Sequence, residues 1–226
     1  MKIKTEYPIC FESPDYYEPV GAVNDDNSNE KYADELEVRF GKKLNYLELG
    51  CAGGTFIDLL VSKGHNAFGI DGTDHPLKIG RPAWLKYFNQ RLFTCDLAKP
   101  FEITDNPKFD VVSAWEFMEH VPTDSIDFIL SKIYEILDEN GIVVFGISMA
   151  ECSHHQSVFP EKVWNENYFN KLFEVHQYDL TNKYREDYFP GHDSFFTILK
   201  KKPNLENLAK QLINEHEQKQ FLKQEV

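Results

Sequence analysis

The chain has 226 residues, a length that suits one α/β domain with additions better than two full domains. Hydrophobic residues make up 42% of it and aromatic residues 14%, which provides a core and excludes disorder of the whole chain. The net charge of −13 argues against nucleic acid and anionic membranes as partners, and no apolar run is long enough to span a bilayer.

The cysteines are scattered along the sequence. They stand at positions 10, 51, 95 and 152 and form no Cys-x-x-Cys pair, so we predict neither a zinc cluster nor a disulfide framework. The first residues also lack the apolar segment of a secretory signal. These features predict a reduced, cytoplasmic setting.

Short apolar runs alternate with helical patterns from Asn45 onward, which predicts an α/β fold of the Rossmann-like, doubly wound type. The expected sheet is mostly parallel and seven-stranded, with an antiparallel last strand. The predicted strands are 45–50, 66–71, 91–96, 109–115, 141–148, 173–180 and 194–201. The predicted helices are 55–63, 76–89, 126–137 and 160–172, and the first of them should end at Gly64.

The two ends of the chain differ from the centre in composition. We expect a lid or leader over 1–44, the domain proper over 45–202 and a helical tail over 203–226. The polar first forty residues fit a lid with Tyr16 and Tyr17 as candidate contacts, and a disordered leader is the alternative. In the tail, Leu205, Leu208 and Leu212 share one helical face. Fraying or loose docking is favoured there over firm docking or a partner helix.

Acidic residues end three successive predicted strands, at Glu48, Asp71 and Asp96. In an open parallel sheet, ligands bind beyond the carboxyl ends of the strands, where the strand order reverses. The glycine-rich turn after Glu48 leads into a helix N-terminus, which favours negative groups of a ligand. Asp71 follows Gly50 by 21 positions, where an acid can accept both hydroxyls of a ribose.

This combination resembles the class I S-adenosylmethionine-dependent methyltransferases over roughly residues 45–148, with a weaker continuation to 201. The resemblance implies S-adenosylmethionine as cofactor, with Glu48 near its methionine part, Asp71 at the ribose and Asp96 at the adenine amino group. The other positions assigned to the cofactor are Gly50, Cys51, Ala52, Gly54, Gly72, Leu97 and Trp115. Ala52 departs from the family's glycine pattern, and its methyl group should be tolerable.

Two alternatives stay open beside this interpretation. A nicotinamide-dependent dehydrogenase also has a glycine turn followed by an acid, but Gly50–Gly54 does not spell Gly-x-Gly-x-x-Gly, and Glu48 and Asp96 are left without a role. A catalytically silent homologue that serves as a partner subunit is mildly favoured by Ala52 and disfavoured by the intact acids.

The flanking segments carry a narrower resemblance. Pro19–Asn29, Ser153–Ser157 with Trp164, and Arg185–Phe196 are similar to bacterial and viral methyltransferases linked to surface-glycan or small-metabolite modification. This implies a small polar acceptor, sugar-like, methylated on a hydroxyl or amine, and a monomer or homodimer. Ser113–Glu116 replaces the signature of base-amino methyltransferases, which argues further against a nucleic-acid acceptor.

Methyl transfer to a hydroxyl or ammonium group needs a base, and a histidine suits that task. The candidates are His120, His154 and His155, with His192 from the final connection, although His120 is equally explained as a packing residue. The adjacent histidines could also bind a metal with Glu151 or Glu116. No third ligand is fixed by spacing, so we predict no metal.

Aromatic residues near the same edge are candidates for an acceptor pocket. They are Trp115, Phe117, Trp164, Tyr168 and Phe169. Most aromatics at helical spacing belong to the core, and Trp115 is favoured because it ends a strand.

Overall fold

The computed structural model describes residues 1–16, 19, 29–105, 108–176 and 194–224. Its strands are β1 (Lys2–Thr5), β2 (Asn45–Leu49), β3 (Asn66–Asp71), β4 (Leu92–Thr94), β5 (Phe101–Thr104), β6 (Phe109–Trp115), β7 (Leu137–Ser148), β8 (Phe173–His176) and β9 (Ser194–Lys201). Its helices are α1 (Glu30–Phe40), α2 (Thr55–Ser62), α3 (His75–Lys78), α4 (Pro82–Tyr87), α5 (Ile126–Ile136), α6 (161–172) and α7 (Glu206–Gln224). Within α6, residues Trp164–Phe169 wind as a π-helix.

Seven of the described strands form one sheet in the order β4-β3-β2-β6-β7-β9-β8. β9 is antiparallel to both of its neighbours, and the other adjacent pairs are parallel. The predicted doubly wound sheet with an antiparallel last strand is therefore confirmed. The path of the chain through this sheet begins in the centre at β2 and moves outward through β3 to β4. It then returns to the centre and continues from β6 toward the opposite edge, so the strand order reverses between β2 and β6.

The core lies on both faces of this sheet. One face packs against α5, α6 and α7, and the other packs against α1, α2 and α4. The face predicted for α5 is confirmed, since Ile126, Ile129, Leu130 and Ile133 are all buried. Burying this apolar stripe against the sheet is the main stabilisation of such a helix.

The predicted helix 76–89 is wrong in one respect, because the structure contains two short helices there, α3 and α4. Gly80 between them has a φ of 79° in the left-handed region. Arg81 is extended before Pro82, as a residue that precedes proline prefers. Together these residues break the helix and turn the chain.

Other element boundaries also shift. β4 is shorter than predicted, β7 begins at Leu137 rather than 141, and β8 is described as far as His176, so 177–180 lie outside the described residues. β1 and β5 pair as a separate antiparallel two-stranded sheet that the hydrophobic pattern did not predict.

The two ends of the chain both pack on the central domain. Tyr32, Ala33 and Leu36 of α1 are buried in the core. α7 docks on α5 and buries Ala209 and Ile213, so the expectation of a frayed or loosely docked tail is wrong. The predicted domain boundaries, cytoplasmic setting and monomer or homodimer state stay predictions. Among the described helices, none is both long and apolar enough to cross a membrane.

Candidate active site

The turn between β2 and α2 is built around two glycines in the left-handed region. Gly50 has a φ of 71° and Gly54 a φ of 77°. A Cβ atom at Gly50 would lie 2.9 Å from the Phe117 ring, and one at Gly54 would lie 2.7 Å from the Leu92 side chain. Both backbone conformation and space therefore require glycine, and the chain can run close to the end of the sheet.

Ala52, in the middle of this turn, also adopts a left-handed conformation, with a φ of 45°. Its N–H donates to Asp71 Oδ2 over 2.7 Å, and its carbonyl oxygen accepts from Trp84 Nε1 over 2.8 Å. A left-handed alanine costs roughly 1–2 kcal/mol. The two hydrogen bonds hold it in place, so the methyl group at the family's glycine position is accommodated at the cost of backbone strain.

Asp71 stands at the end of β3 beside this turn. Its second carboxylate oxygen accepts from the Thr73 N–H over 3.1 Å, so the backbone fixes both oxygens. Burial raises the pKa of Asp71 to about 6. Each carboxylate oxygen has two lone pairs, so the group can still accept two hydroxyl donors.

Glu48 is the penultimate residue of β2 and is only 4% exposed. Burial, and then the charge of Asp71, raise the pKa of Glu48 to about 8. Its Oε2 atom is buried and has no hydrogen-bond partner among the described residues. A buried oxygen without a partner carries a desolvation cost that a donor group on a ligand would relieve.

Asp96, the third carboxylate, follows β4 and is buried. Its carboxylate accepts from the Ala98 N–H over 3.0 Å and from the Cys10 thiol, and burial raises its pKa. Leu97 next to it is buried in the core. β2, β3 and β4 are neighbours in the sheet, so Glu48, Asp71 and Asp96 lie along one edge.

An N-terminal strap, residues 7–16, lies across this edge. Tyr7 O accepts from the Asp96 N–H over 2.9 Å, and the Cys10 N–H donates to Gly72 O over 2.8 Å. Further along, Thr73 Oγ1 donates to Tyr16 O over 3.4 Å. Tyr17, the second candidate contact, lies outside the described residues.

The strap also reaches the candidate histidines. Asp15 Oδ1 lies 3.7 Å from His154 Nδ1 in the loop after β7. Burial raises the pKa of Asp15, and the charges of His154 and His155 oppose the shift. The charge of Asp15 in turn contributes to the raised pKa of Asp71. The strap therefore connects the edge that holds the acids to the edge that holds the histidines.

The structure brings two of the predicted histidines into contact. The rings of His120 and His155 pack edge to face, with centroids 4.8 Å apart. His155 Nδ1 lies 2.7 Å from Ala150 O, which can only accept, so Nδ1 donates this hydrogen bond and Nε2 is the ring nitrogen left for other contacts. Burial lowers the pKa of His120 to about 4. His192 lies outside the described residues.

Glu119 belongs to this cluster and was missed in the sequence. It is fully buried, and its Oε1 accepts from the Ser148 N–H over 3.0 Å. Its backbone oxygen accepts from the Gln156 and Ser157 N–H groups over 2.7 and 3.0 Å, which ties the histidine loop to the end of β6. The sequence did contain a signal for Glu119, because Glu116 and Glu119 are three positions apart and His120 follows directly.

The candidate pocket aromatics separate into two groups. Trp164 and Phe169 are fully buried and belong to the core, as the general expectation for such residues predicted. Trp115 and Phe117 are half-buried near the carboxyl ends of β6 and β2, and the Trp115 ring packs edge-on against Tyr32 at 5.1 Å. Tyr168 is half-buried and its ring stacks on that of Phe159. Trp115 and Phe117 are thus the pair at the sheet edge.

Residues 25–198 match the family model described as a methyltransferase domain, which is more than half of the chain. The chain therefore belongs to this methyltransferase family. Among curated proteins it is similar to the ubiquinone biosynthesis O-methyltransferase of Glaesserella parasuis, with 32% identity over 114 residues that cover 49% of this chain and 47% of the relative. The chain spans about half the length of the curated relatives it matches.

Solved structures agree on the fold. The TehB-like SAM-dependent methyltransferase of Corynebacterium glutamicum superposes with a TM-score of 0.58 at 17% identity, over 80% of this chain and 92% of that one. A second structure is that of the Burkholderia thailandensis 1,6-didemethyltoxoflavin-N1-methyltransferase, crystallised with 1,6-didemethyltoxoflavin and S-adenosylhomocysteine. It superposes with a TM-score of 0.57 at 16% identity, over 83% of this chain and 84% of that one. The predicted class I S-adenosylmethionine-dependent methyltransferase is thereby confirmed at the level of family and fold.

Proposed function

We propose that this chain transfers the methyl group of S-adenosylmethionine to an oxygen atom of a small polar acceptor. The observation that carries the proposal is the row of three carboxylates, Glu48, Asp71 and Asp96, on neighbouring strand ends beside a left-handed glycine turn. Such an edge binds a polar nucleoside ligand because it offers both backbone donors and carboxylate acceptors.

The residues at this edge fit the cofactor. Asp71 has a carboxylate oriented by two backbone N–H groups and suits the two ribose hydroxyls. Glu48 has a buried oxygen without a partner and suits the cationic methionine part. Asp96 suits the adenine amino group. Bound there, S-adenosylmethionine supplies an electrophilic methyl group on a sulfonium ion.

Two observations support oxygen as the acceptor atom. The curated relatives bear the name O-methyltransferase. In addition, His155 donates through Nδ1 to Ala150 O, which leaves its Nε2 for an acceptor near the same edge, and His154 Nδ1 lies 3.7 Å from Asp15 Oδ1. A neutral imidazole can take the proton of a hydroxyl as the oxygen attacks. The sugar-like character of the acceptor rests on the flanking segments and belongs to this proposal.

The strap over residues 7–16 is proposed as the lid of the cofactor site. It contacts the residues that follow β3 and β4 through Gly72, Thr73 and Asp96. A lid that closes over the cofactor excludes water and holds the reactants in place. Hydrogen exchange of the Cys10, Ser13 and Tyr16 amides should slow when S-adenosylhomocysteine binds. Unchanged exchange of these amides at saturating ligand would contradict the lid.

Calorimetry with S-adenosylhomocysteine, S-adenosylmethionine and NAD tests the cofactor assignment. We expect micromolar binding of the first two and none of NAD. Asp71→Asn should weaken binding by about 1–3 kcal/mol, because charge-assisted bonds to the ribose are lost. Asp34→Asn, at an exposed ion pair with Lys63, is the matched control and should bind normally. Equal affinities of the two variants would remove Asp71 from the site.

Transfer of a labelled methyl group to a panel of sugars, phenols and amines tests the acceptor. Labelling of hydroxyl compounds supports the proposal, and labelling restricted to amines overturns the oxygen assignment. Tight cofactor binding without transfer to any member of the panel favours the catalytically silent homologue.

A further inference from the structure

Glu119, His120 and His155 place one possible metal ligand atom each within 4.8 Å of one another. Two of them follow β6 and the third lies in the loop after β7, so the cluster depends on the fold rather than on sequence spacing. Ligands of a Zn²⁺-sized ion stand about 2.0–2.2 Å from the metal, so a movement of roughly 1 Å would bring the three atoms to bonding distance of one ion.

Two of the three residues each carry a buried polar atom without a hydrogen-bond partner among the described residues. Glu119 is 0% exposed, and its Oε2 is buried without a hydrogen-bond donor among the described residues, while the like-charged Glu116 carboxylate lies close to the same side chain. His120 Nδ1 is also buried and has no hydrogen-bond partner among the described residues. An unsatisfied buried polar atom is costly, and a bound cation would satisfy both.

The remaining atoms of the cluster are oriented by outer hydrogen bonds. The Ala150 carbonyl oxygen accepts from His155 Nδ1, which directs the Nε2 lone pair away from it. The Ser148 N–H holds the other oxygen of Glu119. Ligand histidines and carboxylates in metal sites are oriented in this manner.

We propose that Glu119, His120 and His155 bind one divalent first-row transition ion, such as Zn²⁺, Mn²⁺ or Co²⁺. Two imidazoles and one carboxylate suit these ions better than Mg²⁺, which prefers oxygen ligands. This set differs from the His154–His155 pair with Glu151 or Glu116 that the sequence suggested, because the fold packs His120 rather than His154 against His155.

Three protein ligands leave a coordination position open, as in catalytic rather than structural sites. The cluster lies at the carboxyl ends of β6 and β7, on the same edge of the sheet as the three carboxylates. Resting on the proposed function, the ion would bind the acceptor hydroxyl at that position and lower its pKa. Metal binding itself does not depend on the proposed function.

Metal titration of the full chain, freed of metal by a chelator, tests the site. We expect one Co²⁺ per chain with visible absorption bands, displaced by Zn²⁺ and not by millimolar Mg²⁺. Glu119→Gln and His155→Ala should each weaken binding at least tenfold. His154→Ala removes the adjacent histidine outside the cluster and should leave the affinity unchanged. If circular dichroism shows that Glu119→Gln does not fold, the His155→Ala variant still tests the site, because His155 is half-exposed.

The inference is overturned if the chain binds no stoichiometric ion, or if the affinity is the same in His155→Ala and His154→Ala. S-adenosylhomocysteine binding is measured on the same samples. Normal nucleoside binding without metal binding rejects the metal site and retains the proposed function. Metal binding at the cluster without nucleoside binding retains the metal site and rejects the proposed function.

Discussion

The indole N–H of Trp84 donates to the carbonyl oxygen of Ala52 over 2.8 Å and so connects α4 to the turn after β2. Trp84 is fully buried. The turn is therefore held from two sides, by Trp84 through the carbonyl group of Ala52 and by Asp71 through its N–H group. The geometry of the proposed cofactor site thus depends on a residue that does not line it.

Trp84→Phe keeps a large ring but removes this hydrogen bond. The variant should lose about 1–2 kcal/mol of unfolding free energy, because a buried carbonyl is left without its donor, and S-adenosylhomocysteine affinity should fall several-fold. Urea unfolding and calorimetry measure the two effects. Trp164→Phe is the matched control, since Trp164 is equally buried and its Nε1 has no partner among the described residues. Equal ligand affinities of the two variants would contradict the positioning role of Trp84.

Ala52→Gly should stabilise the protein by about 0.5–1 kcal/mol. Glycine relieves the left-handed strain at a φ of 45°, and this gain exceeds its greater freedom in the unfolded chain. Thermal unfolding should show a rise of about 1–4 °C in the melting temperature. Ala33→Gly in α1 is the opposite control and should destabilise, because its backbone is helical. A lower melting temperature for Ala52→Gly would show that the strain is absent.

Gly50→Ala should destabilise the protein more than Gly41→Ala. Both glycines have a φ between 60° and 75°, but a Cβ at Gly50 would meet Phe117 at 2.9 Å, while one at Gly41 meets nothing within 4 Å. The backbone contribution of about 1 kcal/mol is common to both, so the difference in unfolding free energy measures the contact with Phe117. Equal losses would mean that the ring moves away without cost.

Glu48→Gln should flatten the pH dependence of stability. The folded-state pKa of about 8 lies above the ordinary glutamate pKa of 4.5, so between these values the folded state retains a proton that the unfolded state has lost. Glu48 therefore contributes stability that is full below pH 4.5 and is lost as the pH rises through 8. Between pH 6 and pH 9 the wild-type protein should lose about 3 kcal/mol more than the variant in urea unfolding. Parallel pH profiles would contradict the shift.

The local pattern of the sequence determined the sheet and the edge that carries the acids. The apolar spacing from Ile126 to Leu137 predicted a buried helical face, and the short runs ending in Glu48 and Asp71 predicted strands whose carboxyl ends meet. Periodicity reports which side chains are buried, and in a parallel sheet this is enough to place successive strand ends together. Even the break of the helix at Gly80 had a local signal in the glycine and the proline that follows.

Only the tertiary structure decided which distant residues meet. His155 lies against His120 because Gln156 and Ser157 donate to the backbone oxygen of Glu119, a contact that spans more than thirty positions of the chain. The packing of Trp84 on the turn and of the strap across β3 and β4 has the same long-range origin. Hydrophobic spacing carries no information about such pairs, because each forms only after separate elements have packed and their remaining polar groups must find partners.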